Sequence, residues 1–524
     1  MKIDQITSRL LANRGLKTKK QIAEFFHPIP PAEIPSPFVS APAIKLIRSH
    51  IKKGHKIAVY GDYDVDGLCS TAILWETLYS HYPNVFPHIP HRELEGYGLS
   101  LKGIDHCLEQ QAKLIITVDN GIVAHQQVDY CRSQKCDLII IDHHQADDHL
   151  PKANCVLHST SNCAAGLTWF FCRDYLLAPN SELLSLVAIA TICDIVPLLG
   201  TNRSFAKSGL EELNKTTRPG LLSLFEEAQL PSPRLVTPYH VGFIIGPRLN
   251  ATGRLEHAID SLRLLCTKDP KRAHELAKTL GETNRARQQA TQQSVAHALD
   301  LISMNSGLST LIIAADTSYH QGIIGLIAAK IVEKYYRPAI VISIGRTESK
   351  ASARSIPGFH ITDHIRTASH LLLNIGGHAM AAGFTVENSK LETLISKLTD
   401  IKINPQLLVK TQRIDLEVPL STMNYELITR LKAFEPYGLG NPTPIFMSKN
   451  IQISDVRKLG KLGQHLKFKA GNLEAVWFNV PSPSLELREG LGVSYDLTYQ
   501  IEENTWNGQS KLQLVIKEVK SIHG

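Results

Sequence analysis

The 524-residue chain has no CxxC pair, and its nine cysteines all fall between Cys69 and Cys266. That excludes a zinc ribbon built on paired cysteines and argues against a disulfide frame, leaving buried thiols in a reducing compartment. No run is long and apolar enough to span a bilayer. Met1 to Gln5 lacks the apolar core of a signal peptide, so a cytoplasmic location is expected. There is no GxxxxGKS/T loop and no GxGxxG opening a helix, which disfavours a P-loop or dinucleotide-binding enzyme. Neither a heptad nor an apolar surface stripe is evident, so a monomer is expected. A strong charge of one sign is also missing: 56 basic against 49 acidic residues leave +7. Such a balance is compatible with a polyanionic substrate and equally with a bland basic surface. Hydrophobic content of 43% and charged content of 20% are those of a folded chain, and this length calls for roughly two to four domains.

What is present is organised around one acidic stretch, Val59-Tyr60-Gly61-Asp62-Tyr63-Asp64-Val65-Asp66-Gly67. Ile57 to Tyr60 reads as a buried strand. Three aspartates follow at alternate positions, and an extended backbone would aim all three carboxylates to one side. Like charges so gathered repel and raise one another's pKa unless a cation lies among them. A divalent-metal site at the carboxyl end of a strand is therefore expected.

The lead-in to about residue 40 reads as a short helix and a proline-rich arm (Pro28, Pro30, Pro31, Pro35, Pro37), with an amphipathic helix from Ala43 to Lys53. Strands and helices then alternate to about residue 200, implying a parallel sheet. Leu114–Val118 ends on Asp119-Asn120-Gly121, and Leu138–Ile141 ends on Asp142-His143-His144. Ligands of such sheets bind beyond the carboxyl ends of the strands, so three strands ending in aspartate or histidine point at one shared site. A helix from Leu183 to Ile192, apolar on nearly every face, delivers Asp194. That carboxylate is either a metal ligand or a helix-end group reaching water beside Pro197. His91 and Arg92 belong to a loop over the site or to a solvated turn.

Farther on, Gly246 to Arg254 reads as a loop, and Pro270 to Met304 as a long, largely solvated helix bridging two domains, with Arg285 and Arg287 near its centre. A second α/β unit begins near Leu308. In it Ser352-Ala353-Arg354-Ser355 is a phosphate cradle or a solvated turn. Gly376 to Phe384 sets His378 among tiny residues, either for close approach of a ligand or for tight helix packing. From about residue 411 the texture is all-β, with strands such as Ile451–Val456 and Leu512–Val519. Gln464 to Val480 interleaves Lys467, Phe468, Lys469, Trp477 and Phe478, which suits stacking of single-stranded bases or simply fills a barrel. Two divalent ions among the aspartates and a histidine would make a site for hydrolysing phosphate esters. Oxygen ligands suit Mg2+ or Mn2+, and an imidazole tilts towards Mn2+. Arg248, Arg254 and Arg354 would neutralise non-reacting phosphate oxygens.

These motifs, together with Asp194-Ile195-Val196-Pro197-Leu198, Gly246-Pro247-Arg248-Leu249-Asn250 and Phe434-Glu435-Pro436-Tyr437-Gly438-Leu439-Gly440-Asn441-Pro442, resemble those of the RecJ family. That family comprises single-strand-specific 5′→3′ DNA exonucleases of the DHH phosphoesterase superfamily, and the likeness runs through essentially the whole chain. The resemblance implies two α/β domains (DHH and DHH-associated) joined by a long helix, plus a C-terminal all-β OB fold closing over the DNA path. The expected divisions are 1–44, 45–215, 216–305, 306–405 and 406–524.

By position it implies metal ligation of two ions, Mn2+ or Mg2+, by Asp64, Asp66, Asp119, His143 and Asp194, with Asp119 as the bridge. His144 would contact the scissile phosphate or assist proton transfer, and Asp62 and Asp142 would orient ligands. Arg92, Arg248, Asn250, Arg254, Ser352, Arg354 and His378 would hold phosphates. Where several superfamily members carry a histidine ligand, four residues before the first ligating aspartate, this chain has Tyr60. A phenol is a poor ligand, so one metal is expected to be held more weakly or completed by water. Single-stranded DNA is the implied substrate, in recombination and repair, with single-strand-binding protein, a helicase and mismatch-repair proteins as partners. Other readings are a phosphodiesterase for short RNA or cyclic dinucleotides, an inactive DNA-binding scaffold, and an Mn-dependent pyrophosphatase. The C-terminal segment and the full set of ligands weigh against them.

Overall fold

The structure, a computed structural model, describes residues 3–178, 180–230, 235–304, 308–460, 463–480, 487, 493–506 and 509–522. The expected division at 305/306 lies outside them. The first five strands are short and apolar: β1 (Lys56–Tyr60), β2 (Val85–His88), β3 (Ala112–Val118), β4 (Asp137–Asp142) and β5 (Cys155–His158). All pairs are parallel, in the order β2-β1-β3-β4-β5. The sequence reading missed β2 and β5, each four residues long, too short for periodicity to register.

Alternation along β1 sends Ile57 and Val59 into one core with Leu68, Ile73 and Leu186, and Ala58 and Tyr60 into another with Ile104, Val128 and Ile140. Helices Val65–Tyr79, Ala164–Leu176 and Leu184–Cys193 therefore cover one face, and Leu101–Glu109 and His125–Ser133 the other. Strand order reverses between β1 and β3, so the crevice lies above their carboxyl ends.

Two expectations change here. The alternate aspartates do not lie on an extended segment: the helix already starts at Val65, and Asp64 caps it by accepting from the Gly67 amide at 3.0 Å. Gly246 to Arg254 is not a loop but most of a helix, Gly246–Leu255, entered through a π-helical turn at Val241–Ile245. Pro247 follows that turn directly, where the Gly246 N–H already reaches back to Val241 O instead of keeping the α-helical ladder.

The long helix spans Pro270–Met304, as expected. It leads into a mixed sheet with strand order β6-β7-β8-β10-β9, built from β6 (Ile312–Asp316), β7 (Ala339–Ile344), β8 (Glu348–Arg354), β9 (Leu372–His378) and β10 (Ala381–Glu387). Ser352 and Arg354 thus lie on a strand and not in a turn, and Gly376 to Phe384 is a hairpin and not a helix contact.

The third sheet has seven strands: β11 (Leu416–Glu417), β12 (Phe446–Ile451), β13 (Ile453–Leu459), β14 (His465–Ala470), β15 (Leu473–Trp477), β16 (Tyr495–Trp506) and β17 (Gln509–Ser521). The strand expected over Ile451–Val456 straddles the break between β12 and β13. A helix, Tyr425–Lys432, interrupts the all-β texture. The N-terminal helices Ile3–Asn13 and Lys19–Phe26 pack here too: Ile6, Leu10 and Phe25 share a core with Leu427, Phe434 and Phe446. No helix among the described residues is long and apolar enough to cross a membrane.

Candidate metal centre

Asp119 sits where β3 ends, on a backbone that few residues other than glycine adopt: its φ is +66°, and Gly121 follows at +111°. The turn is held by Asp119 N–H donating to Ile141 O (3.0 Å) and by the Asn120 amide donating to Gly61 O (3.0 Å), which ties the ends of β1, β3 and β4 together. Ile195, just after Asp194, also has positive φ (+57°). Unfavourable backbone beside two carboxylates is the kind of strain that a functional site retains.

The acidic groups fall into three overlapping sets: Asp62, Asp64 and Asp119; Asp119, His143 and His144; and Asp66, His143 and Asp194. Within each set the candidate ligand atoms lie within 4.8 Å of one another. Asp119 and His143 each belong to two sets, so either could be shared between neighbouring ions. Asp62 belongs to a set itself, closer to the centre than a purely supporting role requires. Asp66 is fixed by the Ala164 and Ala165 amides (2.7 and 2.8 Å) at the start of the helix behind it. Asp142 has no free face. It accepts from Ile122 N (2.9 Å), His143 N (2.7 Å), His144 N (3.2 Å) and His144 Nδ1 (2.8 Å).

The donor set fits a cation. Asp62 Oδ1, Asp119 Oδ1 and Asp194 Oδ2 are buried without a hydrogen-bond partner, although His143 Nε2 stands 3.2 Å from Asp119 Oδ1. Burial and the neighbouring Asp64 push Asp62 up to about 8 and, with the same causes, Asp66 up to about 7. Asp194 rises to about 8 through burial and then Asp66, and Asp119 rises well above the usual range. Burial and His144 beside it push His143 down to about 4, keeping a neutral imidazole of the kind metals bind. Burial also opposes charge on His144, but the bond to Asp142 outweighs it and lifts that group to about 9. Buried carboxylates with orphaned oxygens and a neutral histidine are a metal-binding composition.

Tyr60 contributes no ligand atom. It is buried on the far face of β1, where its hydroxyl donates to Gly98 O at 3.1 Å.

Positive charge gathers on the other side of the crevice. Arg254 is pushed down to about 10 by burial and then by Arg92, Arg287 and Arg354, with Asp64 acting in the opposite direction. Arg92 donates to Gly253 O (2.9 Å), and its guanidinium lies 4.2 Å from the Tyr63 ring centre. Arg254, on a helix, donates to Gly322 O, and Arg354, on β8, to Ser352 Oγ (3.1 Å), so the second sheet supplies part of the cluster. His378 and Arg354 flank Ala381 in register, hence on one face of the second sheet, while Gly383 and Gly376 lie beside Ser352 and leave that face bare. His378 itself is exposed. Arg248 is drawn away: its guanidinium pairs with Glu227 at 2.7 Å.

The sequence reading did not pick out Arg287 or Tyr97 as site residues. Arg287 is one polar residue among many on a long helix, and nothing in its spacing marks it. Tyr97 lies five residues past Arg92, and its hydroxyl is 3.0 Å from His144 Nε2.

A cavity of about 1150 Å³ opens from the arginines towards the third sheet, lined by Ile195, Tyr239, Phe243, Arg287, Asn250 and Leu439 among others. The Tyr239 and Phe243 rings stack at 5.1 Å and are more than half exposed. The alternating basic and aromatic residues of β14 and β15 form no such surface. Phe468 and Trp477 are buried in the core beneath the third sheet, Lys467 pairs with Glu474 and Lys469 with Asp455, and of the three aromatic rings only Phe478 is exposed.

Carboxylates and imidazoles at the ends of a parallel sheet, facing arginines partly lent by a mixed sheet, define a DHH-type phosphoesterase architecture. Residues 56–191 match the DHH family N-terminal domain, 308–403 the DHHA1 domain and 414–518 the RecJ OB domain. The chain is 33% identical to the single-stranded-DNA-specific exonuclease RecJ of Bacillus subtilis, over 98% of this chain and 68% of that protein. It is 30% identical to the Escherichia coli protein of the same description, over 98% and 95%. It also superimposes on RecJ in complex with Mn2+ from Thermus thermophilus, with a TM-score of 0.85, 26% identity, and coverage of 99% of this chain and 76% of that one. The Mg2+ complex from that organism gives 0.76 and 25%, over 99% and 75%. The chain belongs to the RecJ family.

Proposed function

We propose that the chain is a single-stranded-DNA-specific exonuclease, degrading from the 5′ end by metal-dependent phosphodiester hydrolysis and serving recombination and repair. The observation that carries this reading is the group of buried aspartate oxygens without partners at the ends of β1 and β3 and beside Ile195, facing four arginines. Such a pairing holds cations on one side and a polyanion on the other. Relatives named single-stranded-DNA-specific exonucleases, and RecJ structures with Mn2+ and Mg2+, support the substrate and the metals.

Asp64, Asp66, Asp119, His143 and Asp194 would hold two ions, Mn2+ or Mg2+, with Asp62 within reach. When bound, such ions lower the pKa of a water and neutralise charge on an in-line displacement. Asp142 fixes the His144 ring, which faces the crevice to contact the scissile phosphate or move a proton. Arg92, Arg254, Arg287 and Arg354, with Ser352, Asn250 and His378, would neutralise and position non-reacting phosphates. Arg248, tied to Glu227, would brace its helix. In the reaction water adds to phosphorus and the bond to the 3′ oxygen of the terminal nucleotide breaks. A mononucleotide leaves, and the shortened strand keeps a 5′ phosphate. The cavity would be the route for the rest of the strand, and a narrow channel between the two α/β domains would exclude a duplex. The protein would act in the cytoplasm as a monomer, recruited by single-strand-binding protein, a helicase or mismatch-repair proteins.

Digestion of end-labelled single strands with and without Mn2+, for wild type and Asp119→Ala, tests this. Mononucleotide release is expected from the wild type with metal only, with the variant at least about a thousandfold slower. Activity surviving both chelation and Asp119→Ala would refute the metal reading, and equal or faster 3′→5′ digestion would overturn the polarity.

A further inference from the structure

His144 is held at both ring nitrogens. Nδ1 donates to Asp142 at 2.8 Å, and on the opposite side Tyr97 Oη lies 3.0 Å from Nε2. We propose that Tyr97 is a positioning residue that fixes the His144 imidazole in the crevice through this bond. The inference rests on the reading that His144 works on the scissile phosphate.

Tyr97 is well suited to the task because the segment carrying it is anchored from below. Glu95 reaches back to His88 Nε2 and to the His91 amide, both at 2.9 Å. Tyr60 donates to Gly98 O, one residue past Tyr97. Gly103 closes the anchor, because a Cβ there would stand 2.3 Å from Tyr60 Oη and 2.8 Å from Glu95 Oε2. The residue standing at the superfamily's histidine-ligand position thus supports the opposite wall of the site. The Tyr97 ring, with Tyr63 at 6.1 Å, remains more than half exposed, so substitution there does not disturb a core. Where Nε2 carries a proton the Tyr97 hydroxyl accepts it, and a phosphate oxygen reaching the ring would share that N–H in a three-centre bond, so the contact persists while His144 acts.

Removing one hydrogen bond to the ring in the transition state is worth about tenfold in rate. Tyr97→Phe is therefore expected to lower kcat about tenfold on single-stranded oligonucleotides, with KM within about twofold and the Mn2+-induced thermal shift unchanged. In a His144→Ala background the same change should cost nothing further, because the contact acts only through that ring. The proposal is overturned by a Tyr97→Phe enzyme as fast as wild type while Tyr97→Ala is slow, which would assign the ring to base stacking. It is also overturned by a tenfold loss that persists without His144, or by loss of the Mn2+ shift. Asp119→Ala separates the two levels: if that variant stays active, the metal-dependent reading fails, whatever Tyr97 does.

Discussion

Asp62, Asp66 and Asp194 each carry a pKa raised to about 7 or 8 by burial and then by a neighbouring carboxylate, Asp64 for the first two and Asp66 for the third, which sets a stability profile for the metal-free protein. In the unfolded chain an aspartate ionises near 3.9, so between about 4 and 8 the folded state binds more protons than the unfolded one. Their contribution is fully present at low pH and is lost as pH rises through 7 to 8. His144, lifted to about 9, acts in the same direction, whereas His143, held near 4, opposes it only below about 6.5. Melting the chelated protein at pH 6.5 and 8.5 should give a lower Tm at the higher pH. Mn2+ should raise Tm more at pH 8.5, where the carboxylates bind it ionised. A chelated protein whose Tm rises between those values would contradict the assigned pKa directions.

Among the elements, the helix Gly246–Leu255 links the site to the rest of the molecule. It carries Asn250 and Arg254, receives Arg92 on Gly253 O, and meets the loop before the helix Ile324–Tyr335 at Gly322. A Cβ on Gly322 would lie 1.9 Å from Arg254 O, a backbone atom that cannot swing aside. Gly322→Ala should therefore part the two units locally, costing about 1–3 kcal/mol. Denaturant unfolding would read that loss, and a KM for single strands raised more than kcat falls would report the displaced arginines. Unchanged stability and KM would show that the contact gives way freely.

In the whole molecule, the chain's beginning and end are joined through Arg203. This side chain is buried without a carboxylate. It donates instead to the carbonyls of Phe25 (2.6 Å), Phe434 (3.0 Å), Glu435 (2.8 Å) and Pro436 (3.3 Å), and it lies 3.8 Å over the Phe25 ring. Burial lowers it to about 10, still charged at neutral pH. Arg203→Ala removes the side-chain donor from the Phe25 and Glu435 carbonyls, while Asn441 still donates to Phe434 O (2.7 Å) and Pro436 O (2.9 Å), and should cost about 2–3 kcal/mol. Lysine cannot reproduce the planar fork. Limited proteolysis should then release the third-sheet region before the first two sheets unfold. A variant that resists protease like the wild type would mean that the barrel is held by its apolar contacts alone.

Much of the fold and the site was legible in the amino-acid order because parallel-sheet sites place their residues directly after strands. Apolar runs ending in Asp119 and in Asp142-His143-His144 marked both the strand and its candidate ligands, and the 35-residue polar helix showed in its composition. Contacts between distant segments were not legible. Tyr60 looks like the end of a strand until its hydroxyl is seen on Gly98, and Arg287 looks like any solvated helix residue until Arg254 is beside it. Phe468 and Trp477 have the spacing of a stacking surface and the burial of a core. The N-terminal helices carry no sign that their partner lies some four hundred residues away, as the bond from Asn13 to Asp415 O spans. Sequence by itself determined which residues could bind metal and phosphate, since that depends on side-chain chemistry and local period. Tertiary structure alone decided which of them meet and which are spent on neighbours, as Arg248 is on Glu227, because burial and pairing depend on where the remainder of the chain packs.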